Sequence, residues 1–214
     1  MVTIKISPSV KQKFPGLSIA CTEPFKPVKM DINFEKWVEK VKEKWSSTQL
    51  IQDPIIRAYR DFFWKLGIDP TKIRPSGEAL IRRAISMGLP RISTIVDVMN
   101  IASSFTGIPL SCFDTKIFGE KKPAMEVRFS TPEDLYYPHT GNPWQLSGAE
   151  VVLVSEDKIL CLYPYRDSKF ALIKPDTREL ICVAYGVPGI DNPSIAVQTM
   201  LYILQTEVNI NLFS

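Results

Sequence analysis

The chain has 214 residues, of which 45% are apolar and 23% charged, and a net charge of +3. That balance supports a sizeable core and excludes a highly charged, disordered chain; the total charge is too small to argue nucleic-acid binding by itself. Stretches free of Asp, Glu, Lys and Arg, such as 98–113, stop at about 16 residues and contain Asn, Ser, Gly and Pro, short of the ~20 apolar residues a membrane span requires.

The N-terminal residues predict a strand at Thr3–Ile6, a proline-rich link through Pro15, Pro24 and Pro27, and a short strand near 17–20. From residue 34 to 45, Phe34, Trp37, Val38, Val41 and Trp45 recur at helical spacing with Lys and Glu opposite. This is an amphipathic helix, whose apolar face packs on the domain's own sheet or receives a partner. Asp53 and Pro54 read as an N-cap and first turn for a helix over about 54–66 that ends at Gly67. A turn follows, then a helix over about 76–87 closed by Gly88, and another over about 94–105 ending at Gly107. The short connections favour a compact helical layer.

Beyond Asp114 the pattern changes. The runs 151–154, 159–163, 170–173 and 180–185 are apolar and separated by turn-like segments, which predicts a meander of strands. The interval 118–149 predicts one or two strands with a long surface loop, and Asn192-Pro193 caps a last helix to about residue 207. Strands at both ends and helices between them make an α+β fold with a mixed or largely antiparallel sheet.

A single histidine, His139, excludes H-E-x-x-H, a Cys/His zinc site and more than one Ser-His or Cys-His pairing. Neither G-x-G-x-x-G nor G-x-x-x-x-G-K-[ST] occurs, so no nucleotide cofactor is expected, and no metal or other cofactor is called for. The start of the chain lacks a signal-peptide pattern, and Cys21, Cys112, Cys161 and Cys182 show no C-x-x-C spacing. A cytoplasmic protein with reduced thiols is the expectation.

Three features carry candidate chemistry. Between Arg57 and Arg91 eight basic residues face three acids, a patch suited to a phosphate backbone or to a plain solvated helix surface. Asp97 and Asn100 share one face of the otherwise apolar 94–105 helix. Asp97 then bonds to backbone N–H groups, pairs with Arg82, Arg83 or Arg166, or stands beside a pocket. Tyr165-Arg166-Asp167-Ser168 is a polar turn between apolar runs, where Arg166 and Ser168 bind an anion or ribose, or Asp167 and Ser168 bond to their own backbone.

The segment G-L-P-R-I-S-T-I-V-D-V-M-N-I (88–101), followed by G-I-P-L-S-C-F-D (107–114), resembles the B3/B4 domain of the phenylalanyl-tRNA synthetase beta subunit. Free-standing proteins built from that domain carry further blocks that match 54–60, 67–83 and 166–168. The resemblance covers about 54–185 and more loosely the whole chain, read as one B3/B4-like domain (1–214) with an N-terminal extension over 1–50.

The resemblance implies layered β-sheets packed with helices, and an aminoacyl-tRNA pocket, since in the synthetase this domain hydrolyses tRNA mischarged with tyrosine. It implies tRNA or aminoacyl-tRNA as partner, a synthetase as a further one, and no membrane. An aminoacyl ester is already activated, so a placed water and oxyanion donors suffice without a strong base.

This chain departs from the synthetase domain at Ser111, which stands in place of a pocket histidine, and at Ser93 and Thr94, which replace paired asparagines. Tyr163-Pro164-Tyr165 replaces a glycine-rich segment, and the glutamate that reads the tyrosine hydroxyl falls near Cys182 and Val183. Tyrosine selectivity does not carry over.

By the resemblance, Ser93, Thr94 and Ser111 form the catalytic set. Asn100, Arg166, Ser168 and His139 contact substrate, Arg57, Arg74, Arg82 and Arg83 meet the RNA, and Asp97 supports the helix. The expected pocket lies between the 94–105 helix and the 165–168 turn. Three functions stay open: an aminoacyl-tRNA deacylase, a binding module for RNA or an amino acid, and a hydrolase or lyase of another small molecule on the same fold.

Overall fold

A computed structural model describes residues 1–27, 32–45 and 50–212, with side chains through Glu207. Residues 28–31 and 46–49 of the N-terminal extension lie outside the described residues.

Three sheets build the molecule. Strands β1 (Thr3–Ile6), β4 (Ala124–Phe129), β7 (Val151–Ser155), β8 (Lys158–Leu162) and β9 (Arg166–Asp167) form a five-stranded sheet in that order. The β1–β4 pair is parallel and the rest antiparallel, so the sheet is mixed. Strands β2 (Ser18–Cys21), β10 (Leu180–Gly186) and β3 (Leu110–Asp114) form an antiparallel sheet with β10 in the centre. A small hairpin, β5 (Leu135–Tyr136) and β6 (Trp144–Gln145), covers Val152 and Leu162 on the outer face of the larger sheet.

Six helices complete the α+β fold: α1 (Pro8–Lys13), α2 (Phe34–Lys44), α3 (Pro54–Lys65), α4 (Ser76–Ser86), α5 (Thr94–Thr106) and α6 (Ser194–Leu212). Their ends follow local chemistry. Asp53 accepts the Ile55 and Ile56 N–H groups ahead of α3, and Pro54 occupies the first turn, where no N–H is needed. Gly107 closes α5 at φ +76°, and its carbonyl lies so close to Gly77 that any Cβ at 77 meets backbone. Glycine at both positions lets the start of α4 touch the end of α5.

Strand alternation explains the layering. On β3 and β10, Cys112 and Cys182 point to one face, where Met200 of α6 lies 3.9 Å from the Cys112 sulfur. Ser111, Val183 and Tyr185 point to the other face, toward the five-stranded sheet. On that sheet Leu153, Cys161 and Asp167 share the face looking back. Helices α5 and α6, the three-stranded sheet, the five-stranded sheet and the hairpin therefore stack in that order, while α1 packs on β4 and α3 sets Phe62 and Phe63 against Tyr163 and Tyr165; the main core fills the spaces between them.

Several expectations change. Residues 170–173 are not a strand; a 3-10 turn spans Lys169–Ala171, begun by the Ser168 hydroxyl accepting the Phe170 N–H. The C-terminal strands are not one meander, because β10, buried throughout, leaves the larger sheet to pair with β2 and β3. Helix α1 was not expected; Ser7 caps it and Pro8 opens it, signals hidden in a segment read as a link. The interval 118–149 holds three strands rather than one or two. Cys112 and Cys182, 70 residues apart, are direct cross-strand partners and form a disulfide, which corrects the expectation of reduced thiols. Spacing in the sequence carries no trace of a pairing that register creates. Cys21 and Cys161 are free.

No helix among the described residues is long and apolar enough to cross a membrane, and no group of three or more His, Cys, Asp or Glu among them could hold a metal ion.

Candidate functional site

Where the edge strands β3 and β9 meet, the two large sheets enclose polar groups in otherwise apolar surroundings. The Ser111 hydroxyl donates to Asp167 Oδ1 at 2.6 Å, joining residues 56 apart in sequence. Cys161 is the cross-strand neighbour of Asp167, and its thiol donates to the Leu162 carbonyl at 3.2 Å. The Tyr185 hydroxyl, near enough to Ser111 and Cys161 to influence both, has no hydrogen-bond partner among the described residues although the residue is 1% exposed. Buried hydroxyls without a well-formed partner are uncommon, and this one faces the Ser111 and Cys161 side chains.

The backbone around Asp167 is firmly held. Tyr136 donates its hydroxyl to the Asp167 carbonyl at 2.6 Å, Ser168 N–H reaches the Leu160 carbonyl, and Lys169 N–H reaches Tyr137. A bridge between Pro138 and Ser168 brings the His139 loop against the turn. Of the four groups in the nest, only Asp167 keeps partial access to solvent.

Burial raises the Asp167 carboxyl above its ordinary range, while the Ser111 hydroxyl, the Cys161 thiol and the nearby His139 pull it part of the way back. Burial also pushes the Cys161 thiol and the Tyr185 phenol well up, so both stay neutral near pH 7. The nest is one carboxyl group ringed by neutral donors, with no cation in contact among the described residues. Such a group can take a proton at a higher pH than an exposed aspartate.

The expected site residues divide into two sets. Ser111, Arg166, Ser168 and His139 gather around Asp167. Arg166 is exposed, its guanidinium 5.9 Å from the Trp144 ring centre, His139 is exposed in its loop, and Ser168 is fully buried, its hydroxyl accepting the Phe170 N–H. Ser93, exposed, and Thr94, half-buried, begin α5, and Asn100 is buried within it. None of these three contributes to the hydrogen bonds of Asp167.

Asp97 accepts the Ile92 N–H at 2.7 Å and lies 3.6 Å from Arg91 Nε, so it ties the loop ahead of α5 to the helix. Its guanidinium partner is Arg91, not Arg82, Arg83 or Arg166. Arg82 instead joins Arg60 on Glu78, which is fully buried. Arg57, Arg74 and Arg83 are exposed.

The 94–105 helix and the 165–168 turn lie toward opposite faces of the small sheet, since α5 and α6 pack toward its Cys112 side and Asp167 lies on its Ser111 side. A cavity of about 270 Å³ beside the turn is walled instead by Leu66 after α3, Glu150 ahead of β7, and Tyr163 and Tyr165. Tyr163 is itself buried, its hydroxyl reaching the Ser18 and Gly186 carbonyls at 2.7 and 2.6 Å.

Asp167 is not among the site residues expected from the sequence. A hairpin reading centred on Tyr163-Pro164-Tyr165 pairs 162 with 166 and 161 with 167, the register observed, and would have turned Asp167 inward. That signal was present. Its partner Ser111, on another sheet, had none.

A family model described as the B3/4 domain matches residues 58–209. The chain belongs to the B3/4 domain family. No curated protein matches it. Among solved structures, this B3/4 domain is similar to an N-terminal fragment of the phenylalanyl-tRNA synthetase beta subunit from Pyrococcus horikoshii, at 11% identity and a TM-score of 0.48. The similarity covers 96% of this chain and 49% of the other, so the chain spans about half the length of that structure.

Proposed function

We infer that this B3/4 domain binds the aminoacyl end of a tRNA with the acyl group at the Asp167 nest, and that it hydrolyses the ester. The Ser111–Asp167 hydrogen bond, beside an unpartnered Tyr185 hydroxyl, is the observation that carries the reading. Water attacks the ester carbonyl while Asp167, its proton affinity raised by burial, accepts the water's proton. Tyr185 donates to the carbonyl oxygen as negative charge develops there, and the proton returns to the departing ribose oxygen. Ser111 fixes the carboxylate, while Arg166 and His139 flank the entrance. Ser93, Thr94 and Asn100 stay outside this arrangement, and Asp97 supports α5. The tRNA, and a synthetase that charges it, are the implied partners.

The test is incubation of purified protein with a panel of mischarged tRNAs, reading free amino acid. Release above the spontaneous rate from at least one member is expected, and its loss in Asp167→Asn. Spontaneous rates across the whole panel overturn hydrolysis.

A second reading has its own observation. Ser111, Cys161 and Tyr185 are 3%, 1% and 1% exposed, a closure that suits a module holding RNA without cutting the ester. Salt-sensitive tRNA retention with no release anywhere on the panel is its signature.

A further inference from the structure

Immediately after Asp167 and Ser168 the chain enters a strongly cationic concave surface. A cavity of about 280 Å³ is lined by Lys116, Lys158, Lys169 and Lys174 together with Phe170 and Leu172. A second, of about 610 Å³, shares Asp176 with the first and adds Lys26 and Arg178 between Pro27 and Pro175. Six cations meet two carboxylates along this trough, an excess of four where the whole chain carries +3.

Both carboxylates are already engaged. Asp114 is buried and accepts the Lys116 N–H and the Thr177 hydroxyl at 2.9 and 2.8 Å. Asp176 forms an ion pair with Lys116 at 2.9 Å on the open surface, with Lys174 farther off. Among the described residues no carboxylate forms an ion pair with Lys169, Lys174 or Arg178. Lys158 donates to the Ile117 carbonyl at 2.9 Å, which leaves two ammonium hydrogens for another acceptor.

Aromatic rings interleave with these charges. Lys169 Nζ lies 3.8 Å from the Tyr137 ring centre and 5.4 Å from that of Phe170, and the two rings meet edge to face at 6.0 Å. Both rings are half-buried, and Leu172 beside them is exposed. Cations that track a backbone, with π-faces between them, are the elements that hold single-stranded nucleic acid. The trough also follows the nest along the chain, since Lys169 and Phe170 come two and three residues after Asp167.

We propose that this trough holds the single-stranded terminal segment of an RNA, with phosphates on Lys169, Lys174 and Arg178 and a base on the Tyr137–Phe170 pair. The proposal rests on the RNA-binding half of the function inferred above and relocates the RNA path, away from the arginines of α3 and α4. There Glu78 already holds Arg60 and Arg82, and Arg91 stands between Glu35 and Asp97.

The experiment is fluorescence anisotropy of the full chain with a labelled, unstructured RNA of about 12 nucleotides carrying no ester, repeated from low to moderate salt. The double variant Lys169→Ala/Lys174→Ala is expected to weaken binding at least tenfold at low salt and to flatten the log K against log salt slope by about 0.7 per lysine. Phe170→Ala is expected to weaken it roughly 5- to 100-fold, as loss of one stacked base does. Arg57→Ala/Arg74→Ala/Arg83→Ala is expected to bind as the unaltered protein does. All replaced lysines and arginines are exposed, and unchanged melting temperatures of these variants check the fold.

Loss of affinity in the arginine variant with none in the lysine variant overturns the proposal. So does tighter binding of duplex RNA, or equal binding of an acidic peptide. Because the probe has no ester, RNA binding that depends on the lysines without release of amino acid fails the hydrolytic reading alone. Release of amino acid with lysine-independent binding fails the trough alone.

Discussion

Two buried carboxylates in this molecule meet opposite conditions. Glu78, in the first turn of α4, is fully buried, and both its oxygens lie 3.0 Å from Arg60 Nη1, with Arg82 Nε at 2.8 Å. Asp167 has no cation in contact; one hydroxyl, one thiol and a more distant imidazole are all that oppose the cost of burying its charge. A carboxylate held by two guanidiniums joins α3 to α4 and depends on both partners for its place in the core. One supported only by neutral donors keeps a proton within reach, a property chemistry can use and stability cannot.

Substitution of each carboxylate in turn separates these roles. Asp167→Asn is expected to slow ester hydrolysis about 10²- to 10⁴-fold, the usual worth of a general base, while leaving tRNA retention intact. Hydrolysis unchanged by that substitution, measured on whichever tRNA proves a substrate, removes Asp167 from the chemistry. Glu78→Ala is expected to cost about 3 kcal/mol of stability in urea denaturation, the low end for a broken buried pair, since both arginines keep some contact with water. A loss under ~1 kcal/mol would make that pair ornamental.

The comparison also has a pH signature. Because burial raises the folded-state pKa of Asp167, the unfolded chain releases this proton first, and stability falls as pH rises from the ordinary carboxylate range of about 4 toward the raised value. Asp167→Asn should therefore melt above the unaltered protein near neutral pH, the gap closing as pH drops to about 4. Ser111→Ala removes the hydroxyl that favours the ionised form, so the acid limb of the pH–rate profile should move upward, with about 1–2 kcal/mol lost in stability.

Asp134 supplies the mirror case and the smallest effect. Arg128 grips it through two bonds, at 2.6 and 2.9 Å, and holds its carboxyl below the usual range. That contribution is present above about pH 4 and is lost as pH falls through the depressed value. Arg128→Met is expected to cost about 1 kcal/mol at neutral pH and nearly nothing in strong acid, read from melting curves at both.

The sequence alone determined what depends on neighbours a few residues apart. The 3.6-residue period placed α2 to α6, and Asp53-Pro54, Gly67, Gly88 and Gly107 marked their ends, because caps and left-handed turns are local events. The motifs of 88–114 pointed to the family for the same reason: one helix, one turn and one strand carry them.

Tertiary structure decided the rest. Whether β10 continued a meander or moved to a second sheet, whether Cys112 met Cys182, and whether Ser111 met Asp167 all depended on register between strands 56 to 70 residues apart. A shift of one residue exchanges the two faces of a strand. The sequence listed the polar residues of the turn at 165–168, but only the packing of one sheet on the other chose Asp167 to face inward and left Arg166 in solvent.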